Sequence, residues 1–292
     1  MNEQEVLVTG HTGFIGGSMY NFLLPLEGVE PVGYSKSKGQ DIFDTKKLRK
    51  YIENADIVYH FAAYANPGES KERPIYTINT NVQGCLNVLE ACRVYDTPMV
   101  YASSCEIYGN SKEPIEEDFE LKPLNPYAAS KAAADRICYA YHACYGMDIK
   151  IVRLFNPYGA NQQLNKIIPV FYYQAMNGED LTVHGLGNDT RDYVYIDDII
   201  QGLWQAKDLP AGAVINLATG VETTTLDIAT WIIEWTSSHS KVKFTDYPPE
   251  HGNIKNQVGS YGRAKDLLGW YPTTGLKKGI GKTMEWLDNV KR

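Results

Sequence analysis

Residues 5–16 read Glu-Val-Leu-Val-Thr-Gly-His-Thr-Gly-Phe-Ile-Gly, a short apolar run that breaks into glycines at Gly10, Gly13 and Gly16. Glycine lets the backbone turn sharply and approach a ligand closely, so this spacing forms a cradle for a pair of phosphates. The helical pattern that follows would aim its N-terminal amides and the positive end of its dipole into that cradle. The glycines alone are a common pattern. The strand before them and the helix after them are what point to a dinucleotide pyrophosphate. Gly10, Gly13, Phe14, Ile15 and Gly16 are therefore the first expected cofactor contacts, with His11 filling space in the turn.

Outward from this point, apolar or β-branched runs at 5–9, 30–34, 57–61, 99–103 and 149–154 alternate with helical patterns at 15–24, 45–53, 76–95 and 127–145. Such alternation predicts an α/β chain with a Rossmann-type, doubly wound parallel sheet, and ligands beyond the carboxyl ends of its strands. Past residue 155 the regularity weakens: a helix at 166–176 and a strand at 181–184 precede further sheet strands at 192–196 and 214–217. A helix at 197–207 separates those two strands, and helices at 225–237 and 276–289 complete the pattern. The expected division is a dinucleotide-binding domain of residues 1–160 plus about 190–220, and a smaller interleaved C-terminal substrate domain of about 161–189 plus 221–292.

With 292 residues the chain can bury a substantial core, and its net charge of −7 argues against nucleic acid as a partner. A local basic site for a small anion remains compatible with that balance. The acidic N-terminus and the lack of an apolar run of membrane-spanning length predict a cytoplasmic protein with no membrane association. The five cysteines (Cys85, Cys92, Cys105, Cys138 and Cys144) show no metal-type spacing, so no metal site is expected and a reducing compartment is.

The end of the second strand bears on the choice of dinucleotide. A carboxylate there would accept from the ribose 2′-hydroxyl and repel a 2′-phosphate. The chain instead reads Tyr34-Ser35-Lys36-Ser37-Lys38, and the hydroxyls and ammonium of Ser35, Lys36 and Ser37 favour NADP, with NAD held by other contacts as the alternative. Asp41 and Ile42 are expected at the adenine, one as an acceptor and one as an apolar face.

The stretch Asn125-Pro-Tyr127-Ala-Ala-Ser-Lys131 places a phenol and an ammonium four residues apart on one helix face. A neighbouring ammonium favours the phenolate and eases proton transfer, and Lys131 is also placed to hold the nicotinamide ribose. Ser104, at the end of the fourth strand, can hydrogen-bond a substrate alcohol and share its proton with Tyr127. The trio suits removal of a hydride and a proton from a secondary alcohol.

These segments carry a resemblance. The glycine-rich start, His60-Phe61-Ala62-Ala63, Asn81-Val-Gln-Gly84, Ser103-Ser104…Tyr108-Gly109 and Tyr127…Lys131 look like the extended short-chain dehydrogenase/reductases. So do Arg153-Leu-Phe-Asn156-Pro-Tyr-Gly159, Arg191-Asp-Tyr-Val-Tyr-Ile-Asp-Asp198 and Leu268-Gly-Trp270-Tyr-Pro272. Within that class the chain resembles the NAD-dependent epimerase/dehydratase family of nucleotide sugars over nearly its whole length. The resemblance implies a homodimer paired through helices 76–95 and 127–145. It also implies transient oxidation at C4 of a nucleotide-diphosphate sugar by Ser104, Tyr127 and Lys131. Phe61, Ala62, Ala63 and Asn81 fall at the expected nicotinamide side, and Asn156, Val183, Arg191 and Arg263 are the expected substrate contacts. A guanidinium at position 191 suits a diphosphate because it pairs with phosphate oxygens bidentately.

Glu106 narrows the reaction. In Ser104-Cys105-Glu106-Ile107-Tyr108 a carboxylate two before the tyrosine resembles 4,6-dehydratases and nucleotide-sugar decarboxylases. Once C4 is a ketone the C5 proton is acidified, and Glu106 is placed to remove it with loss of water from C6, Cys105 being the candidate proton donor. The competing readings are a nucleotide-sugar 4-epimerase, suggested by His60–Ser70, and an NADPH-dependent 4-keto-sugar reductase. A catalytically silent dinucleotide-binding protein is the non-enzymatic alternative, disfavoured by the intact Ser104, Tyr127 and Lys131. Where family members carry an arginine for the second phosphate this chain has Glu250-His251-Gly252-Asn253, which leaves Arg263 as the candidate replacement.

Overall fold

The computed structural model describes residues 3–247 and 254–290. The chain opens with β1 (Gln4–Thr9), α1 (Phe14–Leu23), β2 (Val29–Tyr34), α2 (Thr45–Ile52) and β3 (Ile57–His60). Two short helices, α3 (Pro67–Glu72) and α4 (Pro74–Ile78), lead through a π-helical turn, Asn79–Gln83, into α5 (Gly84–Tyr95). Next come β4 (Met99–Ser104), the long α6 (Pro126–Tyr145) and β5 (Ile149–Leu154). The remainder comprises β6 (Pro157–Tyr158), α7 (Ile167–Met176), β7 (Leu181–His184), β8 (Thr190–Arg191), β9 (Val194–Tyr195) and α8 (Ile196–Gln205). It ends with β10 (Val214–Leu217), β11 (Thr223–Thr224), α9 (Thr225–Thr236), β12 (Val242–Thr245), α10 (Gly262–Leu268) and α11 (Leu276–Val290).

Six strands form one parallel sheet in the order β10-β5-β4-β3-β1-β2, the expected α/β architecture. The order reverses between β1 and β3, and a crevice opens there beyond the strand ends. Alternation along the strands sorts side chains to two cores. Val6 and Val8 face one, shared with Val152 and Leu154, while Leu7 faces the other, shared with Tyr101, Ile149 and Ile151. Every residue of β4 and β5 is buried, which is why these strands read as largely apolar runs. Arg153 in β5 is the main exception. It donates to both Asp135 oxygens at 3.0 Å, to the Tyr108 hydroxyl at 2.6 Å and to the Glu117 carbonyl at 2.7 Å.

Local chemistry sets the helix ends. Asp44 caps α2, Asn125 caps α6 with Pro126 at its first turn, and Thr224 and Asp227 close a reciprocal capping box on α9. Gly146 stops α6 in the left-handed conformation, at φ 69°.

The expected strand at 192–196 is corrected. Only Val194–Tyr195 is extended, and it pairs with β6 in a two-stranded ladder outside the main sheet. The reason is Asp192, whose buried carboxylate accepts from the backbone amides of Thr219, Gly220 and Gly259 and so anchors the chain away from a ladder. Residues 76–95 are not one regular helix either, because the π turn interrupts them. The strand β12, which pairs with β7, and the helices α3 and α10 carry no periodicity long enough to have been read from sequence.

Candidate active site

A cavity of about 900 Å³ opens along the carboxyl ends of β1, β3, β4 and β5, at the upper end of the size range for small-molecule sites. The glycine-rich turn forms one wall. Gly10 sits at φ 75°, and a Cβ built there would lie 2.8 Å from the Ala62 nitrogen. A Cβ on Gly16 would lie 2.3 Å from the Gly10 carbonyl oxygen. The turn therefore closes only with bare backbone, which leaves the N-terminus of α1 facing the cavity, as a pyrophosphate requires. Gly10, Gly13, Phe14, Ile15 and Gly16 all line it.

The second wall is set by Thr9. Its Oγ1 hydrogen-bonds His60 Nδ1 at 2.7 Å and accepts from the amides of Phe61 and Ala62 at 3.2 Å each. Those contacts pin the strip Phe61, Ala62 and Ala63 against the cavity. Asn81 does not line it. From the π turn its amide accepts from Tyr64 N at 2.7 Å and donates to Ser130 Oγ at 2.8 Å, tying the Tyr64 loop to α6 from behind. The π turn makes this inward reach possible, as such turns often do near functional sites.

At the far end Ser35, Lys36, Asp41 and Ile42 line the cavity, whereas Ser37 does not. The polar groups there already have partners. Thr12 Oγ1 bonds the Ser35 and Ser37 hydroxyls at 2.8 Å each, and Lys36 pairs with Asp41 at 3.0 Å. That pairing raises the pKa of the Lys36 ammonium and sets a carboxylate beside it. The residues thus fit a dinucleotide: a bare phosphate cradle, an apolar wall and polar groups at the adenosine end.

The proposed chemical groups converge at the middle of the cavity. Ser104 ends β4, Tyr127 and Lys131 project from α6, and all three line the cavity with Cys105 and Glu106. The neighbouring Ser104 hydroxyl opposes the rise that burial, then the nearby Glu106, impose on the Tyr127 phenol. The expected help from Lys131 is corrected for the protein as it stands. Its Nζ donates to the Ala102 carbonyl at 2.5 Å and sits 4.3 Å from the Tyr101 ring centre, and burial lowers it to about 8.

Glu106 is recessed in the wall, and burial raises its carboxyl above the ordinary value against the opposing influence of Asn125, Arg191 and Lys166. Asn125 Nδ2 donates to Glu106 Oε2 at 2.9 Å. The Cys105 thiol is buried, and desolvation followed by the Glu106 charge pushes it up to about 12. It stays protonated at neutral pH but is a weak acid.

On the substrate side Asn156 and Arg191 line the cavity. Asn156 donates to the Asp192 carbonyl at 2.9 Å, and the Arg191 guanidinium is braced by the carbonyls of Thr190 and Ile254 at 2.8 and 2.7 Å. Two expected contacts are corrected. Val183 is fully buried in the core, packed towards Gly187 and α9 rather than the cavity. Arg263 is drawn to carboxylates elsewhere, to Asp118 at 2.6 Å and Glu117 at 3.5 Å. Glu250, His251, Gly252 and Asn253 lie outside the described residues.

Sequence reasoning missed Thr12, Gln162, Lys166 and Tyr193 in the lining. Gln162 is 4 % exposed and its Nε2 has no partner, an unpaired donor in a cavity wall. The loop after Tyr158-Gly159 held the available signal, since polar residues beyond a strand's carboxyl end are site candidates in this architecture.

Comparison with known proteins agrees with this arrangement. The UDP-glucose 4-epimerase of Mycolicibacterium smegmatis is 30% identical over 311 residues, covering 97% of this chain and 98% of that one. The UDP-glucuronic acid decarboxylase 1 of Danio rerio is 29% identical over 316 residues, covering 98% and 73%. The crystal structure of UDP-glucuronic acid 4-epimerase from Bacillus cereus, in complex with UDP-glucuronic acid and NAD, superposes with a TM-score of 0.92 at 26% identity. That superposition covers 98% of this chain and 100% of the other. The profile of the NAD dependent epimerase/dehydratase family matches residues 6–218, and the chain belongs to that family.

Proposed function

We propose that the chain oxidises a nucleotide-diphosphate sugar at C4 and then removes the C5 proton with Glu106, the dehydratase-type elimination of water from C6 being the leading outcome. The observation that carries the second step is a recessed carboxylate beside Tyr127, with its pKa raised by burial and then opposed by Asn125. A simple 4-epimerase has no need of a base there.

In the first step Tyr127 takes the O4 proton through the Ser104 hydroxyl as the C4–H bond breaks. When bound, the dinucleotide supplies the hydride acceptor at C4 and the hydride that completes the cycle. In the second step the C5–H bond breaks, its proton passes to the Glu106 carboxylate, and its electron pair delocalises into the C4 carbonyl before returning to form the C5=C6 bond as hydroxide leaves C6. Cys105 is the nearby donor to that hydroxide, and Arg191 and Asn156 hold the diphosphate and sugar. The dinucleotide falls to the unit of residues 1–160 plus about 190–220, which also lends Asn156 and Arg191 to the substrate, and the rest of the sugar-nucleotide side to about 161–189 plus 221–292.

Two observations favour a second reading, a 4-epimerase. Two of the relatives above bear that name, and a thiol held at about 12 is a poor acid for departure of the C6 hydroxyl. For the cofactor, the Lys36–Asp41 pair weakens the case for a 2′-phosphate, so we read NAD ahead of NADP. Equal or tighter NADP binding by calorimetry would reverse that choice. Exposed Val94, Tyr139 and Tyr145 on α5 and α6 support a homodimer through those helices, and a monomer mass by light scattering at micromolar concentration would overturn it.

The test is mass spectrometry of reactions with UDP-glucose, UDP-glucuronic acid, dTDP-glucose and UDP-N-acetylglucosamine, with NAD and no added reductant. A product lighter by one water supports elimination. One lighter by carbon dioxide makes the chain a decarboxylase, and an unchanged mass with a new retention time makes it an epimerase. No conversion of any of them overturns the assigned substrate class.

A further inference from the structure

Asn125 stands where the two elements that carry the proposed chemistry meet. It is 7 % exposed and precedes Pro126 at the start of α6, in extended conformation at φ −147°. Its Oδ1 accepts the Ala128 amide at 2.7 Å, capping the helix that carries Tyr127 and Lys131. Its Nδ2 donates to Glu106 Oε2 at 2.9 Å. Pro126 disfavours helical backbone at the residue before it, so the cap is held in place from both sides.

Glu106 is bracketed from the other direction. It lies in the 3₁₀ turn Cys105–Tyr108, and its own amide donates to Ser104 Oγ at 3.2 Å. Ser104 in turn neighbours the Tyr127 phenol, both lining the cavity. The ring of contacts Ser104–Tyr127–α6–Asn125–Glu106–Ser104 therefore closes on itself. Arg191, Lys166, Tyr127 and Cys105 also face or influence the carboxylate, but they act on its charge, whereas Asn125 fixes its direction.

We propose that Asn125 is a positioning residue that locks the Glu106 carboxylate in register with Tyr127, so that the C5 and O4 protons are reached from one rigid frame. The inference rests on the reading of Glu106 as the C5 base. In that step the C5–H bond breaks, the proton goes to the carboxylate, and the electron pair delocalises into the C4 carbonyl. Asparagine suits the position because one short side chain offers an acceptor to the helix and a donor to the base. Aspartate keeps the cap but turns a second acceptor, with charge, towards Glu106. Serine keeps the cap and is too short to span the gap.

The experiment compares wild type with Asn125→Asp and Asn125→Ser in deuterium oxide, using the same nucleotide sugars. It reads C5 deuteration, reduced-cofactor absorbance for C4 oxidation, and melting temperature. The expected result is a fall of at least about tenfold in the ratio of C5 exchange to C4 oxidation in both variants. The acid limb of C5 exchange moves to higher pH in Asn125→Asp, and Asn125→Ser melts within a few degrees of wild type because serine also caps well. Parallel loss of exchange, oxidation and melting temperature would mean that Asn125 is only a helix cap. An unchanged ratio and an unmoved acid limb would also overturn the proposal. A wild type that oxidises C4 but exchanges nothing at C5 defeats the Glu106 reading itself, and this inference falls with it.

Discussion

Glu106→Gln removes one negative charge from a wall where burial already raises the carboxyl, while leaving the side-chain shape and an acceptor for Asn125 Nδ2. Three consequences follow from the geometry. Loss of a positioned base slows C5 proton removal by about 10²–10⁴-fold, equivalent to roughly 3–5 kcal/mol of barrier. The Tyr127 phenol, raised by burial and next by Glu106, becomes easier to deprotonate, so C4 oxidation survives with its pH profile moved downwards. Stability changes with a definite sign. A carboxyl with a raised folded pKa binds its proton more tightly folded than unfolded, so wild type loses stability as pH rises from the unfolded value through the folded one. One such proton contributes a slope of at most about 1.4 kcal/mol per pH unit across that window. Below the window wild type and Glu106→Gln differ least, and above it the variant is the more stable by a constant amount. The assays are C5 deuterium incorporation, stopped-flow absorbance of the reduced cofactor, and urea melts across the pH range. Exchange at the wild-type rate would show that Glu106 is not the base. A variant no more stable than wild type at high pH would show that Asn125, Arg191 and Lys166 fully offset the burial of its charge.

Tyr127→Phe should slow C4 oxidation by at least about 10²-fold while substrate affinity by calorimetry changes only a few-fold, and retained turnover would remove Tyr127 from the catalytic set. Gly16→Ala puts a Cβ 2.3 Å from the Gly10 carbonyl oxygen, so saturating NAD should lose the stabilisation that it gives wild type, about 2.7 kcal/mol at a hundred times Kd. A normal NAD-dependent thermal shift in that variant would move the pyrophosphate elsewhere. Arg153→Met leaves the buried Asp135 without its main partner and should cost about 3–5 kcal/mol in urea unfolding, and a loss below about 1 kcal/mol would mean that Arg136 suffices. Lys131 at about 8 should give kcat/KM an alkaline limb near that pH, where loss of its proton removes the ammonium, and a profile flat well above it would show that ligand binding restores the ordinary value.

The sheet was legible because its signals are local and repeated. Each of the five leading strands is a run of four to six residues bounded by a turn, and the glycines at 10, 13 and 16 fix which strand comes first. What failed was pairing that depends on distant groups. The stretch 192–196 has the apolar content of a strand, but the partners of Asp192 lie at 219, 220 and 259, and nothing local announces them. The same holds for β12, which has only four residues and pairs with β7, itself 61 residues earlier. Composition marks such segments as ordinary loop or strand, and only the tertiary arrangement separates the two.

The site divides along the same line. Spacing put Tyr127 and Lys131 on one helix face, and β4 delivered Ser104 to the same place, because a parallel sheet gathers all its carboxyl ends at one edge. Spacing could not tell what the ammonium would bond. In the folded chain it meets the Ala102 carbonyl and the Tyr101 face, and burial acts on Tyr127, Lys131 and their neighbours Cys105 and Glu106 in one direction, towards the neutral form. It raises Tyr127, Glu106 and Cys105 and lowers Lys131. A site biased this way holds its protons near the point of transfer without fixed charge to repel a dianionic diphosphate. Glu106, the proposed C5 base, is the group given a dedicated donor in Asn125 and cations at Arg191 and Lys166. Those four residues come from the ends of four different segments, so the pattern that adjusts the base was distributed across the fold and readable only once the fold had brought it together.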